Sequence, residues 1–127
     1  MDHDLTLEND LTHQIIGAAI EVHRILGCGL LESIYEEALC HELALRGITF
    51  ERQVGINVNY KGHNILGQRV DILVARQVIV ELKSLSKLPE VAMAQTLSYL
   101  KATRLKRALL INFGEKLLKN GIKRISL

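Results

Sequence analysis

The stretch "VDILVARQVIVELKSL", Val70 to Leu85, constrains the fold more than any other part of the chain. Two runs rich in β-branched residues flank "ARQ", and a spacing that short leaves an antiparallel hairpin as the natural arrangement. With Ala75, Arg76 and Gln77 as the loop, Val74 pairs with Val78, and the same register sets Asp71 opposite Glu81. Directly opposed side chains have Cβ atoms about 4.5–5.5 Å apart, where like charges destabilise the pair unless something neutralises them. Alternation puts Lys83 on the face of Glu81 and sends Val78, Val80 and Leu82 to the other side. Two oxygen donors plus waters suit Mg2+ or Mn2+. A lysine beside them can orient or deprotonate an attacking water and stabilise developing phosphate charge, a combination that fits phosphodiester hydrolysis. The same spacing also admits a plain surface hairpin, with Glu81 and Lys83 in water and Asp71 paired to Arg69. In this register Arg69 lies on the Asp71 face opposite Lys83, where it can bind phosphate or hold Asp71 in place.

The rest of the chain supplies what such a hairpin must pack against. "NDLTHQIIGAAIEVHRILG" sets Leu11, Ile15, Ala19, Val22 and Leu26 at helical spacing, with Asn9 or Asp10 as cap and Gly27 as stop. "GLLESIYEEALCHELALRG" predicts a second helix with Leu31, Ile34, Ala38 and Leu45 on or beside its apolar stripe, ending at a left-handed Gly47. From Ile48 the pattern turns to alternation. "ITFERQVGINVNY" predicts one or two short strands, and "KGHN" a turn into the hairpin. Pro89 opens a third helix through "EVAMAQTLSYLKAT", followed by an apolar strand "RALLINF" and an edge strand "IKRISL". The fold expected is α/β of the α+β kind: a mixed sheet with a central antiparallel hairpin, flanked by helices, in one domain over residues 1–127 with a short flexible lead-in at 1–9. His23 falls on the inner stripe of the first helix as a satisfied core histidine, and Tyr35 is expected to pack with its hydroxyl bonded.

Charge narrows the partners. The net value is only +2, but residues 1–63 hold 4 Lys and Arg against 10 Asp and Glu while residues 64–127 hold 12 against 4, giving halves of −6 and +8. The basic half can hold a phosphate backbone, or its cations can be solvated on exposed faces. No apolar run approaches the roughly 20 residues of a membrane span, and "MDHDLTLEND" is unlike a signal peptide, so a cytoplasmic protein with no membrane partner is expected. Cys28 and Cys40, without a CxxC, read as free thiols.

An Asp on one strand followed by Glu-x-Lys on the next resembles the PD-(D/E)xK nuclease superfamily, here Asp71 and "ELK" at Glu81 to Lys83. "HRILGCGLLESIYEEAL" resembles the signature of the small bacterial GxxExxY family, with Gly29, Glu32 and Tyr35 in the motif positions, and "QRVDILV", "VIVELKSL", "AQTLSYLK" and "LLINFG" follow in that family's order. The resemblance covers roughly residues 10–127 and implies a restriction-endonuclease-like core related to RecB-type exonuclease domains. By that resemblance Asp71 and Glu81 are metal ligands, with the Leu82 carbonyl as a further one, Lys83 acts on the water, and Glu32 is an additional acidic residue near the metal. A Glu in a first helical turn is also favoured by the macrodipole alone. "QTLSY" resembles the QxxxY motif of RecB-type nucleases. Gln95 and Tyr99 share a helix face, where they contact Lys83 or a DNA phosphate, or else form a half-buried Tyr beside an amide. Cys28 stands where relatives often have proline, and Val70 replaces the proline of Pro-Asp. The activity implied is Mg2+- or Mn2+-dependent hydrolysis of DNA, exonuclease-like. A rival reading keeps the fold as a weakly active or inactive module that binds nucleic acid or a protein partner. Homodimerisation would enlarge the small binding surface.

Overall fold

The computed structural model describes residues 2–127, with side chains from Asp10 on. Helix α1 spans Asp2–Leu26, α2 Glu32–Leu45 and α3 Glu90–Thr103. The strands are β1 Phe50–Tyr60, β2 His63–Val74, β3 Val78–Lys83, β4 Arg107–Asn112 and β5 Ile122–Ser126, with a 3-10 turn at Leu118–Gly121 before the last. They form one sheet in the order β1-β2-β3-β4-β5, antiparallel except for β3 and β4, whose parallel pairing α3 makes possible as the crossover.

Helices cover both faces, so the central strands are apolar on both sides. Val78, Val80 and Leu82 join Ile72 and Val74 under α1 and α2, in a cluster with Ile15, Tyr35, Leu39 and Leu43. Ile79 of the same strand faces the other way, into a second cluster with Val70, Tyr99, Leu100 and Leu110 under α3. The alternation expected of β3 is therefore observed.

Helix α1 begins at Asp2, ahead of the expected cap, and the Asn9 side chain lies outside the described residues. Ile15, Ala18, Ala19 and Val22 are buried, while Leu26 at its end is exposed. The stripe expected for α2 is corrected. Leu31, Ile34 and Leu45 are exposed, and the buried face runs through Tyr35, Leu39 and Leu43 with Glu36 and Cys40 beside it. Apolar residues stand on both flanks of this helix, so spacing alone does not choose between them. The Gly47 stop is as expected: at φ +73° its N–H bonds Ala44 O and that of Ile48 bonds Leu43 O, the Schellman pattern.

The Gly-x-x-Glu-x-x-Tyr spacing has a physical account. Gly29 takes φ +103°, which L side chains rarely adopt, and Tyr35 ties down the loop it belongs to. The Tyr35 hydroxyl donates to Gly27 O at 2.5 Å and accepts from Leu30 N at 3.2 Å, while its ring stacks on Phe113 with centroids 4.4 Å apart. Tyr35 thus packs with its hydroxyl bonded, and Tyr35→Phe should lower stability by about 1–2 kcal/mol in urea denaturation with an unchanged m-value. His23 donates from Nε2 to Glu115 O at 2.8 Å, the satisfied histidine expected. Both cysteines are free, and burial pushes the Cys40 thiol up to about 11. Among the described residues no helix is long and apolar enough to cross a membrane.

Candidate active site

The hairpin turn is built as its spacing demands. Ala75 and Arg76 take φ +51° and +55°, Gln77 N bonds Val74 O at 2.9 Å, and the register runs Val74 to Val78, Leu73 to Ile79 and Ile72 to Val80. The ladder stops there, one residue short of Asp71 and Glu81. At this point each carboxylate takes a main-chain N–H of the other strand: Glu81 Oε2 accepts from Asp71 N at 2.6 Å, and Asp71 Oδ2 accepts from Leu82 N at 2.8 Å. This reciprocal clasp holds the two carboxylates face to face and leaves one oxygen of each uncommitted to the opposite strand.

Beyond the clasp β2 and β3 part company. Arg69 pairs with Gly55 of β1, and Lys83 continues alongside Asn112 of β4, so the expected opposition of Arg69 and Lys83 is not formed. Nor do the described ion pairs include Asp71 with Arg69, so the plain surface-hairpin arrangement is not what forms. Glu81 is only 8% exposed. Burial first, and then the Asp71 charge, push its carboxyl up to about 8 against partial relief from the Asp71 N–H and the Lys83 ammonium.

Three residues that sequence reasoning missed support the pair. Gln53 Nε2 donates to Glu36 Oε1 at 2.9 Å and reaches Asp71 Oδ1 at 3.5 Å. Glu36, buried on α2, is also paired with Arg52 at 3.0 Å. Gln53 sits at φ +51° in the middle of β1, and across from it strict alternation on β2 breaks, since Val70 and Ile72 face opposite clusters. The available signals were the polar triplet "ERQ" interrupting a strand and a Glu directly after the buried Tyr35. Glu32, one turn earlier on α2, stands exposed, and among the described residues no three acidic, histidine or cysteine side chains gather as a metal site.

Lys83 is half-buried at the end of β3, and its strand end is locked from behind. Phe113 N bonds Lys83 O at 2.8 Å, and Ser84 Oγ donates to Leu30 O at 2.5 Å, tying β3 to the start of α2. The fully buried Asn112 accepts from Leu85 N at 2.9 Å and Gly114 N at 3.0 Å and donates to Leu85 O at 2.9 Å. A Cβ on Gly114 would overlap the Leu85 carbonyl, so only glycine permits this approach. Asn112→Ala strands three main-chain groups and should cost roughly 3 kcal/mol, read as a lower urea midpoint.

On the opposite side of the pair lies α3. Tyr99 is 8% exposed, and burial raises its hydroxyl, with the Glu81 and Asp71 charges adding to the effect. Gln95, one turn before it, is exposed, as is Arg69. Tyr99 thus feels both carboxylate charges, and no described hydrogen bond joins Tyr99, Gln95, Arg69 or Glu32 to them.

The donor set fits a hard divalent cation. Two opposed carboxylates, one with its carboxyl pushed up by burial and by its neighbour's charge, would be relieved by a cation between them. Asp71 Oδ1, Glu81 Oε1 and the Leu82 carbonyl are the oxygens this chain offers, and such ions keep several waters as their remaining ligands.

Residues 9–125 match the family model described as the PD-(D/E)XK nuclease superfamily. No curated protein and no solved structure matches the chain. The five-stranded mixed sheet with helices on both faces agrees with the restriction-endonuclease-like fold of that superfamily, whose members are generally hydrolytic nucleases and typically use divalent metals. With nearly its whole length matched and its acidic pair and lysine at the end of the central hairpin, the chain belongs to the PD-(D/E)XK nuclease superfamily.

Proposed function

We propose that this protein hydrolyses DNA phosphodiester bonds, exonuclease-like, as a GxxExxY-type member of its superfamily, with Asp71 and Glu81 holding Mg2+ or Mn2+. The observation that carries the reading is the clasped pair itself, a buried carboxyl pushed up to about 8 against a second carboxylate, with Lys83 on the same strand two residues on. When bound, the cation polarises the phosphate and lowers the pKa of a coordinated water. Asp71 and Glu81 orient that water, the Leu82 carbonyl completes the protein's share of the ligands, and Glu32 adds negative charge from the first turn of α2. Lys83 orients the attacking water, takes its proton only from the free-amine form, and as the ammonium faces the negative charge that develops on the phosphate oxygens. Arg69, Gln95 and Tyr99 contact the phosphate backbone on either side of the scissile bond.

Water attacks phosphorus as the bond from phosphorus to the ester oxygen breaks, and the proton that the water releases returns, through Lys83 or solvent, to the leaving oxygen. The buried apolar surroundings of Glu81 strengthen each of these electrostatic interactions. The small donor set, with one oxygen of each carboxylate already spent on a main-chain N–H, favours a second reading, a nuclease-fold module that binds nucleic acid or a partner without efficient turnover.

Cleavage of labelled single- and double-stranded DNA, linear and circular, in Mg2+, Mn2+ or EDTA separates the two. Cutting that requires metal and spares circles supports an exonuclease. No cutting under any condition leaves the binding module.

A further inference from the structure

The hairpin of β1 and β2 extends beyond the sheet, and between this arm and α3 lies a groove of about 510 Å3. Asn57, Gln68, Ser98, Lys101 and Arg104 are among its lining residues, and no acidic side chain is. Neither Lys101 nor Arg104 belongs to a described ion pair, although every ion pair among the described residues uses an arginine. Arg104 is the more telling of the two. It caps α3 at φ +63°, the left-handed conformation that glycine normally takes at a helix end, and its N–H bonds Leu100 O at 2.8 Å.

Helix α3 borders both the groove and the acidic pair. Helix α3 packs over the face that carries Ile79, and its own Tyr99, which feels the charges of Glu81 and Asp71, is the neighbour of the groove-lining Ser98. Along β2, Gln68 precedes Asp71 by three residues, about 10 Å at the rise of a strand. The geometry points to a track for a single nucleic-acid strand: Lys101 and Arg104 hold its phosphates, and the amides of Asn57 and Gln68 hydrogen-bond to backbone oxygens a few nucleotides from the bond to be cut. This inference rests on the nuclease reading for its choice of ligand. A groove of about 510 Å3 lined by two cations matches a single strand in scale better than a duplex, and phosphate contacts of this kind carry no sequence information.

The test is fluorescence anisotropy with 5′-labelled single-stranded oligonucleotides of 4, 8 and 12 nucleotides and a 12-base-pair duplex, in EDTA so that binding is read apart from cleavage. The wild-type protein should bind single strands more tightly than duplex, without sequence preference. Lys101→Ala combined with Arg104→Ala should weaken binding roughly ten-fold and reduce the slope of log K against log salt by about 1.4, at about 0.7 per phosphate contact on a single strand. Lys119→Ala, outside the groove, should change neither. Arg104→Gly separates a binding role from a folding one, since it frees the strained backbone and should raise the melting temperature while still weakening binding.

Unchanged affinity and salt slope in the double variant, preferential duplex binding, or no strand binding by the wild type would overturn the track. If the wild type never cleaves DNA yet the double variant loses strand binding, the nuclease reading fails and the track stands. If it cleaves and the double variant cleaves and binds as well as wild type, the reverse holds.

Discussion

Asp71→Ala is expected to lower DNA cleavage by about a thousand-fold or more and to abolish Mn2+ binding, whereas Lys83→Ala should lower cleavage by about 10²–10⁴-fold and leave Mn2+ binding in place. The difference follows from position. Asp71 supplies an oxygen to the ligand set and also accepts the Leu82 N–H, so its loss removes a ligand and loosens the clasp. Lys83 offers no oxygen and acts only on the water and the phosphate. Asp71→Asn keeps an acceptor for the Leu82 N–H while removing the charge, so it should fold as well as wild type and still fail to cleave. Calorimetric titration with Mn2+ beside a single-turnover cleavage assay reads both quantities. Equal loss of metal binding in the Lys83 and Asp71 variants would contradict these roles.

Without metal, the protein should lose stability as pH rises from about 4.5 to about 8, by an amount on the order of 4 kcal/mol, and Glu81→Gln should remove that slope. The sign follows from proton counting. The Glu81 carboxyl ordinarily titrates at 4.5 and in the folded protein at about 8, so between those values the folded state holds a proton that the unfolded state has released. Stability then falls with rising pH and levels off above about 8. A cation in the site reverses the balance, because it requires the ionised form. Metal affinity should therefore weaken as pH falls below about 8, with close to one proton released per ion bound at pH 7. Urea denaturation in EDTA at pH 5 and pH 9, for wild type and Glu81→Gln, measures the first effect. The same slope in both proteins would assign it to other groups.

The hairpin was legible because two apolar runs around a three-residue gap leave one register, and that register by itself sets Asp71 against Glu81. It stopped being informative one residue later. Pairing by index carries no warning that carboxylates will take over main-chain N–H groups, so Arg69 and Lys83, opposed on paper, stand against different strands. Tyr35 and His23 were readable as packing residues with satisfied polar atoms because each lies on a helix face bound for the core. The α2 stripe was misassigned because its buried face includes Glu36, whose burial depends on Arg52 and Gln53, residues 16 and 17 positions away. Gln53 escaped for a related reason, since the polar triplet that holds it marks a break in the strand but names neither its left-handed residue nor that residue's partners. Long-range polar pairing, unlike apolar periodicity, has no local signature.

Anomalous diffraction from a crystal of the wild-type protein soaked in Mn2+ tests the central claim most directly. The account predicts one strong peak about 2.1 Å from an oxygen of Asp71 and an oxygen of Glu81, absent in crystals of Asp71→Ala. A protein that cleaves DNA with Mn2+ while the ion sits elsewhere, or with no peak between these two carboxylates, would contradict it.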